Sequence, residues 1–250
     1  MARFRDAVAA QHGLDLPDYQ ALWSWSVEDV AAFWSSVGDF FGVALACDDV
    51  LPDDAMPGAT WFPGAEVSFV HEVMRQASPD RPALVAVDET GAVDTWSWDR
   101  LSREVGAVAR WLSAQGVTSG DRVVGYLGNR PEALVGLLAT ASLGATWAVC
   151  NQDVAAEGAA SRFAQLAPTV LITASSSHYG GRLLDHTAAV AELVVALPSV
   201  RTVLAARGSA QAGLPRPWPR WPRERPDWAA RRASAALAPR ARDGAYRKVP

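Results

Sequence analysis

The sequence predicts an α/β protein in three stretches: a helical and loop-rich N-terminal cap over residues 1–76, an α/β domain over 77–206, and a tail over 207–250. Three observations carry this reading. From Pro82 onward, short apolar strands alternate with amphipathic helices, at a spacing that calls for parallel pairing through right-handed crossovers. Before Pro82 the apolar residues first recur at helical spacing and then give way to a loop rich in proline and glycine. Near Arg207 the charge changes sign: residues 1–206 hold 24 acidic and 12 basic side chains, net −12, whereas residues 207–250 hold 3 and 11, net +8, together with 7 of the 16 prolines.

Taken in order, the first element is a helix from Ser26 to Phe41. Ser26 stands at the cap, Glu28 and Asp29 lie in the first turn, and Val30, Phe33, Trp34, Val37 and Phe41 form one apolar face. Leu51 to Gly64 is loop, with turns at Met56-Pro57-Gly58 and Phe62-Pro63-Gly64. Trp61 and Phe62 are expected to fill a gap between the helical N-terminus and the main domain. Ala83–Val87 and Ala92–Trp96 read as a hairpin around Asp88-Glu89-Thr90-Gly91. Ser97 caps a helix whose buried face is Trp98, Leu101, Val105, Val108 and Leu112, and Gly116 ends it. Asp121–Leu127 is a buried strand. Pro131 opens the next helix, in the first turn where a missing N–H costs nothing, and that helix is apolar nearly all round to Leu143. Strand Ala145–Cys150, helix Val154–Leu166, strand Thr169–Thr173, helix His186–Leu197 and strand Arg201–Ala205 complete the pattern.

The chain has no 18-residue apolar run and no signal-peptide core, so no membrane association is expected and the expected compartment is the cytoplasm. Cys47 and Cys150 are too few for a disulfide framework or a structural zinc site, and His12, His71, His178 and His186 lack ligand spacing, so no metal site is expected. No phosphate-binding loop, dinucleotide fingerprint or G-x-S-x-G elbow occurs. Lys248 is the only lysine, so no earlier lysine holds a phosphate or forms a Schiff base.

A resemblance carries the reading further. Gly120-Asp121-Arg122-Val123, the strand after it, and Asn129-Arg130-Pro131-Glu132 ahead of a buried helix resemble the AMP-forming acyl-CoA synthetases of the adenylate-forming superfamily. Finer matches resemble the acetoacetyl-CoA synthetase branch. They are Trp25-Ser26-Val27, Met56-Pro57-Gly58-Ala59-Thr60-Trp61-Phe62-Pro63-Gly64-Ala65, the run Ala139–Trp147, Arg162-Phe163-Ala164-Gln165, Tyr179-Gly180-Gly181-Arg182 and Leu197-Pro198-Ser199-Val200-Arg201, in order over residues 19–206. Two stretches depart from the branch: Asn151-Gln152-Asp153-Val154 stands where it has S-P-D-F, and Ser68-Phe69-Val70-His71-Glu72 where it has N-Y-A-E-N.

The resemblance implies the helical cap and the incomplete first α/β subdomain of an adenylate-forming ligase. Intact relatives join a short acid, acetoacetate, to coenzyme A through an acyl-adenylate, using ATP and magnesium. The family's phosphate loop, its nucleotide-binding segments and its C-terminal domain with the catalytic lysine have no counterpart in residues 1–206. The chain is therefore expected to be a truncated form, inactive alone, with no catalytic residue and no tightly bound cofactor. The one ligand contact implied is at the nucleotide end of coenzyme A, where Gly180 and Gly181 let backbone approach a phosphate and Arg182 pairs with it. The bland alternative is a surface turn followed by a solvated arginine.

For the tail, Pro215-Arg216-Pro217-Trp218-Pro219-Arg220-Trp221-Pro222 excludes core helix or strand. Three readings stand: a disordered basic arm for nucleic acid, a polyproline ligand for a proline-motif-binding partner, or out-of-frame translation of GC-rich DNA. The third is preferred because the composition is rich in Arg, Pro, Ala and Trp, and nucleic acid is accordingly not the expected partner. The rival functional class is a non-enzymatic binding module acting through this tail. A partial subdomain is also expected to expose apolar surface and to self-associate.

Overall fold

The computed structural model describes residues 1–206 except 46 and 48; the three readings of the tail fall on residues outside this set. Two compact units divide at Glu72 and Val73.

The first unit holds helices α1 (Ala2–His12), α2 (Tyr19–Glu28) and α3 (Val30–Phe41). The single helix expected from Ser26 is thus two helices that meet at Asp29. Asp29 leaves helical geometry (φ −126°, ψ 74°), closes α2, and opens α3 by accepting the Ala32 N–H. The Ser26 hydroxyl instead donates to the Trp23 carbonyl inside α2. A carboxylate at the start of a helix also meets the positive end of the dipole, which favours Asp29 over Ser26 as the break. Helix α1 was not legible, because it buries only Phe4 and Val8. Those two pack with Leu16, Leu22, Trp25, Phe33 and Val37 into the core of this unit. Trp61 rests edge-on against Trp34 at 6.1 Å, so the indole is held by the helical unit itself. A short helix α4 (Phe69–Met74) follows.

The second unit opens with the hairpin β1 (Leu84–Val87) and β2 (Val93–Trp96). Its turn is shaped by the Asp88 carboxylate, which accepts from the backbone of Thr90 and Ala92 and from the Thr90 hydroxyl. Ser97 caps α5 (Trp98–Ala114) as expected, accepting the Arg100 N–H, and Leu101, Val105, Val108 and Leu112 are buried on one face. Then come β3 (Arg122–Tyr126), α6 (Pro131–Ala141), β4 (Thr146–Cys150), α7 (Ala156–Ala164) and β5 (Val170–Thr173). A second hairpin follows, β6 (Ser176–Tyr179) and β7 (Arg182–Asp185), before α8 (Thr187–Ala196) and β8 (Thr202–Ala205). That second hairpin has no strand signal in the sequence, because Ser-Ser-His-Tyr carries no apolar alternation.

The central sheet is parallel, in the order β4-β3-β5-β8, as the strand–helix alternation predicts. Helices α7 and α8 cover one face, packing on Val124, Tyr126, Leu171 and Val203. On the other, α6 packs on β3, β4 and α5. The ring of Trp147 lies between β3 and α6, where a Cβ at Gly125 or Gly136 would come within 2.7 or 2.6 Å of it. Within the second unit, most of the exposed large apolar residues lie on the hairpins. Val85, Val87 and Val93, on one face of β1–β2, are 51, 63 and 62% exposed, and Tyr179 and Leu183 on β6–β7 are 69 and 65% exposed.

Leu138 on α6 is 1% exposed. Leu138→Ala should lower unfolding free energy by roughly 2–5 kcal/mol. A urea titration followed by circular dichroism measures this, and a loss below about 1 kcal/mol would contradict the placement of α6 in the core.

Candidate functional site

The strand order sets where a ligand has room. The chain leaves β3 through α6 toward β4, and leaves β5 through α8 toward β8 on the other side, so the order reverses between β3 and β5. In open parallel sheets the crevice at the carboxyl ends of such strands is the usual ligand position. Three contacts organise this edge. Gln152 donates to the Ala174 carbonyl at 2.6 Å, linking the segment after β4 to the end of β5. The Tyr126 hydroxyl donates to the Val154 carbonyl at 2.7 Å, and burial raises its pKa. Arg130 and the buried Glu132 pair at 2.8 Å across the first turn of α6.

The hairpin β6–β7 rises from the carboxyl end of β5, so it projects from this same edge. Its two-residue turn is Gly180-Gly181, with φ of 57° and 73°. Two successive positive φ values define the primed turn whose twist matches a two-stranded ribbon, and glycine adopts them without strain. Tyr179 pairs with Arg182 across the turn, so both side chains leave the same face of the ribbon, and both are exposed. Among the described residues the Arg182 guanidinium makes no ion pair. The three residues singled out in the sequence, Gly180, Gly181 and Arg182, are therefore brought together at the tip of one hairpin.

Three features of the site were not legible. The Gly180 N–H donates to Glu89 Oε2 at 2.7 Å, a contact spanning 91 positions from the turn of the first hairpin. Nothing in local spacing signals it. Ser177 and His186 meet at 2.7 Å at the base of the ribbon, and the Ser175 carbonyl accepts the His186 N–H at 2.7 Å. Burial lowers the His186 pKa, with Asp185 opposing. Third, Gln152 forms its bridge at a position where the motif pattern has proline.

The described residues contain no lysine. Among them, no group of three or more His, Cys, Asp and Glu side chains is placed to hold a metal ion, and no helix is long and apolar enough to cross a membrane. What the hairpin tip presents is one guanidinium, the Gly181 backbone and an aromatic ring. That set suits a phosphate on a nucleotide, which a planar fork of N–H donors grips and an adjacent ring flanks.

Comparison with known proteins places this fold. The family model for AMP-binding enzymes matches residues 71–243, and that for the acetyl-coenzyme A synthetase N-terminus matches residues 19–73. The chain belongs to the AMP-binding enzyme family, and the match runs past residue 206, where the motif resemblance ends. Within that family it is similar to acetoacetyl-CoA synthetases. That of Macaca fascicularis is 34% identical over 211 residues, 82% of this chain and 31% of the relative. That of Rhizobium meliloti is 31% identical over 217 residues, 86% of this chain and 33% of the relative. A malonamoyl-CoA synthetase of Penicillium aethiopicum is 33% identical over 83% of this chain and 30% of its own length. The solved acetoacetyl-CoA synthetase from Streptomyces lividans superposes with a TM-score of 0.82 at 40% identity, covering 86% of this chain and 34% of that one. The chain thus spans about a third of the length of the relatives it matches.

A pH dependence follows from His186. Its folded pKa lies below the ordinary 6.5, so the unfolded chain binds the proton more readily. Stability is then fully present above 6.5 and declines as pH falls through that value toward the folded pKa. Thermal midpoints should drop on acidification in this window, and His186→Gln should flatten the drop. An equal drop in the variant would assign the effect to other groups.

Proposed function

We propose that this chain is the coenzyme-A-facing N-terminal part of an acid–CoA ligase of the acetoacetyl-CoA synthetase kind, and that alone it binds coenzyme A weakly without forming an adenylate. The observation that carries the reading is the superposition on an acetoacetyl-CoA synthetase at 40% identity over 86% of the chain. The hairpin Tyr179–Arg182, at the carboxyl edge of the sheet, supports it. In intact relatives the acid's carboxylate displaces pyrophosphate from ATP to give the acyl-adenylate, and the coenzyme A thiol then displaces AMP to give the thioester.

Within this reading Arg182 holds a phosphate of coenzyme A as a bidentate donor, the Gly180-Gly181 backbone lets it approach, and Tyr179 flanks the nucleotide. The acid is acetoacetate or a similarly short acid; the malonamoyl-CoA synthetase relative matches as long a stretch, so this region does not select between them. No residue is assigned to ATP or magnesium. Adenylation needs donors around the transferring phosphate, each worth about 2.7–4 kcal/mol of barrier, and residues 1–206 supply neither a lysine nor a phosphate loop. The compartment is the cytoplasm, consistent with Cys47 and Cys150 both unpaired. The exposed face of Val85, Val87 and Val93 makes self-association the expected solution behaviour, which sedimentation at several concentrations reads directly.

Radiolabelled pyrophosphate exchange on the purified chain with acetoacetate and ATP should stay at background. Coenzyme A binding measured by calorimetry should weaken at least about tenfold in Arg182→Ala, the effect of losing one charge-assisted pair. Exchange clearly above background would overturn the inactive reading, and binding indifferent to Arg182 would overturn the assigned contact.

A further inference from the structure

The Glu89 carboxylate sits on the backbone donor that the proposed phosphate contact would use. Gly180 N–H donates to Glu89 Oε2 at 2.7 Å, and that N–H belongs to the turn whose other members are Gly181 and Arg182. A carboxylate accepting from a turn amide fills the role of a ligand anion: it neutralises the same partial positive charge with the same kind of oxygen. One amide hydrogen serves one acceptor well, and two anions at contact distance repel. The phosphate and Glu89 therefore exclude each other at Gly180.

The surroundings make the exchange possible. Glu89 is exposed at the tip of β1–β2, beside Asp88, whose carboxylate is committed to its own turn through Thr90 and Ala92. Asp88 consequently stays in place when Glu89 swings away. Gly180 and Gly181 have open space where a Cβ would project, so an incoming group meets no side chain of the turn. We infer that Glu89 is an internal stand-in for the ligand phosphate: it holds the β6–β7 turn in its binding shape in the free chain and gives way to a phosphate that Arg182 also grips. The inference rests on the coenzyme A reading of this hairpin. It adds a residue 91 positions away that lowers the affinity for a ligand whose phosphate has to displace it.

The test is calorimetric titration of coenzyme A, and of coenzyme A lacking its ribose 3′-phosphate, into the full chain and into Glu89→Gln and Arg182→Ala. Glutamine keeps the length and an acceptor oxygen but removes the charge. Glu89→Gln should bind coenzyme A about tenfold more tightly, the size of one charge-assisted hydrogen bond no longer displaced. It should also discriminate more between the two ligands, because only the one carrying the 3′-phosphate has to displace Glu89. In the unsubstituted chain the Gly180 amide resonance should move as coenzyme A saturates. Unchanged or weaker binding in Glu89→Gln, alongside a loss in Arg182→Ala, would overturn the role of Glu89 while leaving the site standing. A Gly180 resonance indifferent to saturating ligand would do the same. Binding insensitive to Arg182, or none in any variant, would overturn the coenzyme A reading and the inference with it.

Discussion

The ring of Trp147 is the piece on which the sheet edge depends. It comes from β4, and it fits because Gly125 on β3 and Gly136 on α6 both lack a Cβ that would meet it at 2.7 and 2.6 Å. Overpacking at such a point usually costs about 1–3 kcal/mol. The fit fixes the distance between α6 and the sheet, and with it the position of the α6 first turn, where Arg130 and Glu132 pair. Gln152 and Tyr126 then tie the segment after β4 to the rest of that edge.

On this rigid base the two hairpins act as adjustable parts. Each is a two-stranded ribbon shaped by local chemistry: an aspartate collecting turn amides at Asp88, and two glycines at positive φ at Gly180 and Gly181. Two-stranded ribbons are marginal by themselves. One is supported by Trp96, which is 3% exposed, and the other by the Ser177–His186 contact at its base. Their tips meet through a single exposed hydrogen bond between Glu89 and Gly180. A weak link between firm elements opens at low energetic cost.

Elements with dense local signals were legible. Ser97 capped its helix, Pro131 opened the next, and the alternation after Pro82 required a parallel sheet. Elements with sparse signals were not. Helix α1 has two buried side chains, and β6 is mostly small and polar. Asp29 and Ser26 are both capping residues three positions apart, and only the packing of α2 and α3 as separate helices decides which one breaks the run. The candidate site was half legible. Tyr179-Gly180-Gly181-Arg182 stood out as a motif and forms the hairpin tip, while its partner Glu89 had no signal at all.

By itself the sequence determined what depends on neighbours along the chain: helix caps, turn glycines, the period of apolar residues, and the motifs that resemble the acyl-CoA synthetases. These are governed by hydrogen bonds and burial within a few residues, so the local order of side chains specifies them. Only the tertiary structure decided the strand order β4-β3-β5-β8, the seat of Trp147 between Gly125 and Gly136, and the meeting of Glu89 with Gly180. Each of those joins residues remote in sequence through shape and charge in three dimensions, and no spacing along the chain encodes such a contact.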